Sequence, residues 1–419
     1  TLNSPVEVRT SFKSFWDKYS DRPDINAMML NNNAEQLEEL DRHDILSSLP
    51  CVKGKDVVDI GAGIGRFTTI LAENAKSVLS TDFIDEFIKK NKERNSHLPN
   101  VSYAVGDAVH LQLKPSSVDF VFTNWIMMYM SDEETVSFIL ETLKWLRPNG
   151  HAHLRESCSE PSTGRKPVTD KVSMHDANAA NPTSYRFSSL YINLLRSVRV
   201  QDDEGKVWKF KVLWSASVPT YIKRMSNWRQ VHWLVEKVPA DSSDEILSFD
   251  NLLELFATKW NEEQKKWDEL LDGEDEVWTD NIIINIQFIF PSLSSLPSPD
   301  GIFVYTPRRS SPFLHINSHL LAERFSANIW NVESVPMYYR TSLTKANTKK
   351  DQRVRYAWHP SLSLSVDYWT EKKAKFDAFV ATEFLSENDN DVQSIKTILN
   401  DNAPIVLIEP LDEIDTDAI

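Results

Sequence analysis

A glycine-rich stretch between a short apolar strand and a helix is the strongest chemical signal in the sequence. Residues 61–65 read Gly-Ala-Gly-Ile-Gly and follow Val-Val-Asp-Ile at 57–60. Glycine lets the backbone come within van der Waals contact of a ligand. The helix that follows offers free N–H groups and the positive end of its dipole at its N-terminus. The stretch therefore predicts a site for a nucleotide-like ligand.

Two acidic residues support this prediction. Asp82 ends the next predicted strand, 17 residues past Gly65, where a carboxylate can accept hydrogen bonds from both ribose hydroxyls. Asp107 follows the third predicted strand, where a carboxylate can accept from an adenine amino group. Together the glycines and the two acids predict that the ligand contains an adenosine.

The glycine spacing separates a dinucleotide from S-adenosylmethionine. The dehydrogenase pattern is Gly-x-Gly-x-x-Gly, whereas here the third glycine comes one residue early and Arg66 follows it. The string at 59–65 resembles motif I of class I methyltransferases, and this resemblance implies S-adenosylmethionine as cofactor and S-adenosylhomocysteine as product. The cofactor contacts that it implies are Gly61, Ala62, Gly63, Gly65, Arg66, Asp82, Phe83, Ile84, Asp107, Ala108, Asn124 and Trp125.

The elements that position these residues alternate between strand and helix. Strands are predicted at 57–60, 77–80, 101–105, 118–123, 151–155, 207–216, 220–223 and 231–238, and helices at 36–49, 66–75, 85–94 and 133–146. This alternation predicts a parallel sheet with right-handed crossovers. Residues 379–384 and 405–408 repeat the pattern around a helix, but no glycine-rich turn follows them, and Tyr-Thr-Pro-Arg-Arg at 305–309 stands where one is expected.

Composition divides the chain near residue 240. Residues 1–240 carry 30 basic and 30 acidic residues and eight of the ten glycines, whereas residues 241–419 carry 16 basic and 31 acidic residues. We predict an α/β protein with a Rossmann-like class I methyltransferase domain at 1–240. A second, degenerate α/β methyltransferase-like domain without a cofactor loop, and without catalytic function, is predicted at 241–419.

Composition also excludes several classes of protein. The net charge of −15 over 419 residues argues against a general nucleic-acid binder, which would neutralise phosphates with Lys and Arg. Two cysteines exclude a disulfide scaffold and a cysteine-based zinc site. No membrane span or signal peptide is evident, so a cytoplasmic protein is expected. No metal site is predicted, because the pairs His151/His153 and His315/His319 lack a third ligand or the Glu of a zinc protease.

The sequence is also similar to the first methyltransferase domain of plant phosphoethanolamine N-methyltransferases, in register over roughly residues 10–238. The matching segments are 27–30, 61–67, 82–84, 124–129, 155–158, 181–183, 185–186 and 232–233. Nematodes divide this pathway between two proteins, and the chain resembles the one whose catalytic domain is N-terminal. The resemblance implies methylation of phosphoethanolamine to phosphomonomethylethanolamine on the route to phosphocholine and phosphatidylcholine. It also implies a functional partner that performs the later methylations.

Residues suited to this substrate stand at positions that match the family. A phosphate calls for arginine, lysine and phenol hydroxyls, and the candidates are Tyr185, Arg186, Lys223 and Arg155. Related enzymes pair a tyrosine near the N-terminus with a histidine after the fourth strand. Tyr19 matches the former, but Tyr129 replaces the histidine. Because a phenol is a weak base at neutral pH, we expect Tyr19 and Tyr129 to orient the amine and pass its proton to solvent.

Two alternatives stay open from the sequence alone. In the first, the cofactor is the same but the acceptor is another small amine or a carboxylate. In the second, the chain is a catalytically weak binding partner of the later-step methyltransferase. The intact glycine stretch, Asp82 and Asp107 argue against the second alternative.

Overall fold

The structure, a computed structural model, describes residues 5–21, 24–29, 34–158, 183–263, 301–306, 316–382 and 390–408. Its chain groups into two compact units. The first contains Thr1–Val212 and Val218–Trp260, and the second contains Leu213–Ser217 and Asn261–Ile419. Residue 240 thus lies inside the first unit, and the assignment of 1–240 as the catalytic domain stays a prediction.

The first unit is built on a mostly parallel sheet. Its strands are β1 (Asp56–Ile60), β2 (Ser77–Asp82), β3 (Val101–Val105), β4 (Val118–Thr123), β5 (Leu146–Ser157), β6 (Arg199–Gln201), β8 (Gln230–Pro239) and the first part of β7 (Val207–Ser217), whose end at Leu213–Ser217 belongs to the second unit. The order is β3-β2-β1-β4-β5-β8. The first five strands pair in parallel, and β8 runs antiparallel to β5. The predicted parallel sheet is confirmed.

Helices connect these strands. They are α1 (Pro5–Asp17), α2 (Ile25–Met29), α3 (Ala34–Leu46), α4 (Thr68–Asn74), α5 (Asp85–Arg94), α6 (Asp132–Trp145), α7 (Ser188–Ser197), α8 (Pro219–Met225) and α9 (Phe249–Glu254). The start of α6 carries a capping box between Ser131 and Glu134, which satisfies N–H groups that a helix leaves free. The predicted strand at 220–223 is wrong. These residues form α8, because Pro219 occupies its first turn with a φ already suited to a helix.

The second unit repeats the same core arrangement. Its strands are β9 (Ile302–Thr306), β10 (Ile329–Glu333), β11 (Val354–Trp358), β12 (Ala378–Thr382) and β13 (Ile405–Ile408). Its helices are α10 (Ser318–Phe325), α11 (Pro336–Lys349), α12 (Leu362–Glu371) and α13 (Asn390–Ile395). The strand order is β13-β12-β9-β10-β11, all in parallel. Numbered from its own first strand, this is the order of the five parallel strands of the first unit.

Both sheets are apolar through their centres. In β4 the side chains of Phe120, Val121 and Phe122 are all buried, and in β9 the same holds for Phe303 and Val304. Continuous apolar runs are expected for parallel strands that are covered on both faces. Among the helices that the structure describes, none is both long enough and apolar enough to cross a membrane.

Candidate active site

The glycine stretch forms the tight turn between β1 and α4, and two of its glycines are required by close contacts. Gly61 has a φ of 71°, and a Cβ there would lie 2.3 Å from Cγ2 of Ile126. Gly63 has a φ of 55°, and its Cβ would lie 2.8 Å from the sulfur of Met28. Most side chains avoid positive φ, so the backbone at these two positions needs glycine.

Gly65 serves packing rather than the cavity wall. A Cβ there would lie 2.2 Å from Oδ1 of Asn91. Asn91 belongs to a buried polar network beneath the turn, in which it donates to Ser80 Oγ at 2.8 Å and Thr68 donates to Asp59 Oδ2 at 2.6 Å. The network holds the start of α4 against β1 and β2. Burial raises the pKa of Asp59 to about 7.

Asp82 ends β2 beside this turn and binds it directly. Its Oδ2 accepts from the N–H of Gly63 at 2.9 Å, and its Oδ1 accepts from the N–H of Ile84 at 3.0 Å. Burial raises the pKa of Asp82 to about 6, although backbone N–H groups lower it. Each carboxylate oxygen can accept a second hydrogen bond, so the group can still receive the two hydroxyls of a ribose.

Asp107 follows β3 and is held by an arginine that sequence reasoning missed. Arg9, on α1, donates from Nε to Asp107 Oδ2 at 3.0 Å and from Nη2 to Asp107 Oδ1. Its Nη1 donates to the carbonyl oxygen of Tyr129 at 2.6 Å. This forked pairing fixes the carboxylate plane. Nothing in the local sequence of α1 singles out Arg9, because the contact spans 98 positions.

A second residue that sequence reasoning missed, Asp41 on α3, lies between two predicted site residues. Its side chain is fully buried and pairs with Arg66 at 3.0 Å and with Arg155 at 2.9 Å. Arg155 also donates to Oδ1 of Asn124 at 3.2 Å. Arg66 also lies 4.0 Å from Oε1 of Glu38, so the two guanidinium groups face two carboxylates, and these ion pairs fix both arginines.

Trp125, which lies beside Arg155, has an unusual backbone conformation. Its φ is 61°, which is a genuine outlier for a bulky residue and is found where surrounding contacts enforce it. Its N–H donates to the carbonyl oxygen of Arg155 at 2.8 Å, and its Nε1 donates to Gln230 at 2.7 Å. The Arg155 guanidinium lies 3.9 Å from the indole centroid. These contacts fix the indole plane.

Both predicted catalytic tyrosines belong to one aromatic cluster. Phe12, Phe15, Met128 and Tyr129 are buried together, and Trp16, Tyr19, Trp125 and Tyr185 pack against them. Tyr19 lies with its ring centroid 5.4 Å from that of Phe15, and Tyr129 with its centroid 5.5 Å from that of Trp16. Aromatic faces attract cations, so the cluster is suited to an ammonium group.

The glycine turn and the aromatic cluster open into one cavity. The predicted residues that line it are Gly61, Ala62, Gly63, Arg66, Asp82, Phe83, Asp107, Ala108, Asn124, Trp125 and Tyr129. Arg9, Phe12, Trp16, Met28 and Asp59 also line it.

The other predicted site residues in the described part of the chain do not line the cavity. Gly65, Ile84 and Tyr19 are not among the lining residues; Tyr19 packs against the aromatic cluster, and Arg155 contacts Trp125 from the protein side. Tyr185 packs on the cluster, with the guanidinium of Arg229 4.9 Å from its ring centroid. Lys223 is exposed on α8. Arg186 is buried away from the cavity, where Asp132 pairs with it at 2.8 Å.

Of the two histidine pairs noted in the sequence, only His151 and His153 lie wholly within the described residues. His153 contacts His232 at 3.1 Å, and burial lowers its pKa to about 3. Among the residues that the structure describes, no three His, Cys, Asp or Glu side chains converge as a metal site requires. His315, Asn181, Pro182 and residues 307–309 lie outside the described residues.

Comparison with known proteins gives these residues a family. A family described as "Methyltransferase domain" matches residues 58–154. The chain is 60% identical over 407 residues to phosphoethanolamine N-methyltransferase 1 of Caenorhabditis elegans, a match that covers 97% of this chain and 84% of that protein. It is 37% identical over 229 residues to phosphoethanolamine N-methyltransferase 1 of Triticum aestivum and spans about 44% of that plant protein.

Solved structures agree with the sequence relatives. Phosphoethanolamine N-methyltransferase 1 of Haemonchus contortus, solved with phosphoethanolamine and S-adenosylhomocysteine, superposes with a TM-score of 0.91 and 58% identity. The match covers 99% of this chain and 88% of that one. Phosphoethanolamine N-methyltransferase 2 of the same organism shares the fold, with a TM-score of 0.53 and 16% identity over 89% of this chain and 73% of that one. The chain belongs to the phosphoethanolamine N-methyltransferase family.

Proposed function

We propose that this chain is an S-adenosylmethionine-dependent enzyme that transfers one methyl group to the amine of phosphoethanolamine. The observation that carries the proposal is the shared cavity. A glycine turn with Asp82 lies at one side of it, and Tyr129 of the aromatic cluster lies at the other. An adenosine cofactor and a small amine can therefore meet in one enclosed space.

The cofactor side of the cavity fits S-adenosylmethionine. The close contacts at Gly61 and Gly63 leave no room for side chains, and Asp82 and Asp107 offer carboxylate oxygens to the ribose and the adenine. Arg66 lines the cavity and supports binding of the carboxylate of the amino-acid tail, while the buried ion pairs of Asp41 with Arg66 and Arg155 hold it in place. When bound, this cofactor supplies a methyl group already activated by a sulfonium.

The substrate side must hold a phosphate and an ammonium. Tyr185 and its neighbour Arg229 offer a phenol and a guanidinium beside the aromatic cluster, and Lys223 offers an exposed ammonium on α8. Tyr19 and Tyr129 then hold the amine among aromatic faces and pass its proton to solvent. Because the methyl group is already activated, positioning of the amine supplies much of the rate acceleration.

Product analysis tests the proposal and its alternatives. The protein is incubated with S-adenosylmethionine labelled in the methyl group and, separately, with ethanolamine, phosphoethanolamine, and its mono- and dimethyl forms. We expect label only from phosphoethanolamine and only in the monomethyl product. Label in ethanolamine would exclude a requirement for the phosphate, and label in the di- or trimethyl products would exclude restriction to the first step. Absence of label from all four acceptors would favour the weak binding partner.

Two wider proposals accompany this reaction. The monomethyl product calls for a further amine methyltransferase to complete the route to phosphocholine, and we propose such an enzyme as the functional partner. We also propose a cytoplasmic location, which two cysteines in 419 residues support. Fractionation of cells that make the native protein tests the location, and recovery in the membrane pellet would contradict it.

A further inference from the structure

The segment that follows β4 is held by charged side chains rather than by a regular helix. Residues 126–130 contain only one 3₁₀ turn, Met127–Tyr129, which is too short to satisfy its own N–H and C=O groups. Buried backbone groups of this kind require partners. Two charged side chains from other parts of the chain, Glu156 and Arg186, supply most of these partners.

Glu156 on β5 takes the N–H groups. Its side chain is fully buried. Oε1 accepts from the N–H of Ile126 at 3.1 Å and of Met127 at 2.9 Å, and Oε2 accepts from the N–H of Met128 at 3.1 Å. Burial raises the pKa of Glu156 to about 7, although the three N–H groups and Arg186 lower it. In its ionised form the carboxylate fixes three consecutive peptide groups, since hydrogen bonds to a charged acceptor are stronger than neutral ones.

Arg186 takes the carbonyl groups of the same segment. Its Nη1 donates to the carbonyl oxygen of Met127 at 3.0 Å, and its Nη2 donates to that of Met130 at 2.7 Å. Its Nε donates to Oδ1 of Asp132 at 2.8 Å. The exposed fraction of Arg186 is only 7%. A side chain with these contacts is occupied by the protein itself.

The segment held in this way forms a wall of the cavity. Ile126 stands over Gly61, and Tyr129 and Met130 line the space where cofactor and amine meet. Trp125, with its positive φ, directly precedes the segment. A shift of the 126–130 backbone would therefore move Tyr129 relative to the cofactor turn.

We propose that Glu156 and Arg186 are positioning residues, a charged clamp that fixes residues 126–130 and so places Tyr129 against the reacting amine. The proposal rests on the methyl transfer proposed above. It gives Arg186 a role through the backbone rather than through the substrate phosphate. Opposite charges suit the task, because the N–H groups of one short segment need an anion and its C=O groups need a cation.

The first test replaces Glu156 by Gln, which keeps its shape but turns one acceptor into a donor facing an N–H. We expect hydrogen exchange at the amides of residues 126–128 to rise at least tenfold, with no change at residues 118–123 of β4. The kcat should fall at least tenfold, while KM for phosphoethanolamine and the Kd for S-adenosylhomocysteine stay within twofold. Unchanged exchange at 126–128, or a wild-type kcat, would overturn the proposal.

The second test uses Arg186 and does not depend on the folding of the Gln variant. Arg186→Lys and Arg186→Met should lower kcat with little change in KM, Lys less severely than Met. The kcat of the double variant Glu156→Gln/Arg186→Met should be at most about twofold lower than that of the poorer single variant, since both substitutions act on one segment. A raised KM with wild-type kcat would identify Arg186 as a phosphate ligand and overturn the clamp.

The exchange measurement separates this proposal from the proposed function. It needs neither substrate nor turnover, so it reports on the clamp even in a protein that does not methylate phosphoethanolamine. Failure of the wild-type protein to methylate phosphoethanolamine, with exchange raised in Glu156→Gln, would overturn the proposed substrate and leave the clamp standing. Methylation of phosphoethanolamine by the wild-type protein, with unchanged exchange in Glu156→Gln, would overturn the clamp and leave the proposed substrate standing.

Discussion

The two units share one order of five parallel strands, yet only one carries the features of a cofactor site in the described residues. In the first unit β1 leads into Gly61, and β2 ends in Asp82, which binds the glycine turn. In the second unit β10 likewise ends in an acid, Glu333, but its Oε1 accepts from Ser342 of α11 at 3.2 Å. The same sheet position thus serves a cavity in one unit and a helix contact in the other.

The difference lies in the sequence that follows the first strand of each unit and not in the strand order. A glycine of the second unit, Gly301, also has a positive φ, of 63°, but it precedes β9 and its missing Cβ would meet the carbonyl oxygen of Asn328 at 2.0 Å. It is needed for packing between neighbouring strands. The sequence after β9 is Pro-Arg-Arg at 307–309, which lacks the glycines that a close approach to a ligand requires.

Substitution of Gly61 by Val should have the largest effect. The new side chain would require a φ near 71° that β-branched residues avoid, and its Cβ would overlap Ile126. We expect the affinity for S-adenosylhomocysteine to fall by about 100-fold or more, equivalent to roughly 3 kcal/mol, as measured by isothermal titration calorimetry.

The matched control is Gly301→Val in the second unit. It should lower the free energy of unfolding by roughly 1–3 kcal/mol or more through strain, because the contact with Asn328 involves backbone. The affinity of the folded protein for S-adenosylhomocysteine should stay within twofold. Equal losses of affinity in both variants would mean that Gly61 has no special role in cofactor binding.

The acid that ends the second strand of each unit gives a further comparison, and only the one in the first unit should affect cofactor affinity. Asp82→Asn should weaken binding of S-adenosylhomocysteine by about 10- to 100-fold, because hydrogen bonds to a charged group contribute about 1.5–3 kcal/mol each. Glu333→Gln should leave that affinity unchanged, since Glu333 contacts Ser342. If Glu333→Gln weakened binding as much as Asp82→Asn, the second unit would have to contribute to the cofactor site.

The pH dependence of cofactor affinity should report on Asp82. Burial raises its pKa to about 6, and only the ionised carboxylate accepts from both ribose hydroxyls. Protonation increases as the pH falls through 6, so the affinity for S-adenosylhomocysteine should fall by up to about tenfold per pH unit below that value. Calorimetry between pH 5 and 8 measures this slope. The Asp82→Asn variant should lose this pH dependence. If the dependence persists in that variant, titration of Asp59 would be its source.

Much of this comparison was accessible from sequence because it depends on local patterns. Periodicity predicted α5 and the parallel strands, and glycine and acid spacing predicted the cofactor turn. The error at 220–223 arose where apolar residues in a short segment fit both a strand and a helix, and the packing of α8 decided between them.

The charged contacts around the cavity could not be predicted in this way. Arg9 reaches Asp107 across 98 positions, and Arg155 reaches Asp41 across 114. Such pairings depend on how α1 and α3 lie against the sheet, which no local pattern encodes. For the same reason Arg186 could be recognised as a basic residue at a family position, but its contacts with the 126–130 backbone could not.

The smallest expected effects concern the tyrosines, and they distinguish a working aromatic cluster from a packed core. Tyr19→Phe and Tyr129→Phe keep the rings of the cluster and remove only the hydroxyls. We expect each to lower kcat by roughly tenfold, a modest share of what general acid–base groups contribute, with unchanged affinity for S-adenosylhomocysteine. Steady-state kinetics with phosphoethanolamine measures the change.

Tyr356→Phe, on the buried strand β11 of the second unit, is the matched control and should leave kcat unchanged. Wild-type rates in both cluster variants would mean that the rings alone matter, and that the amine loses its proton without help from either hydroxyl. A loss in Tyr129→Phe only would assign the proton transfer to the residue that the clamp positions. That outcome would link the charge of Glu156 and Arg186, through five residues of backbone, to the chemistry of a single phenol.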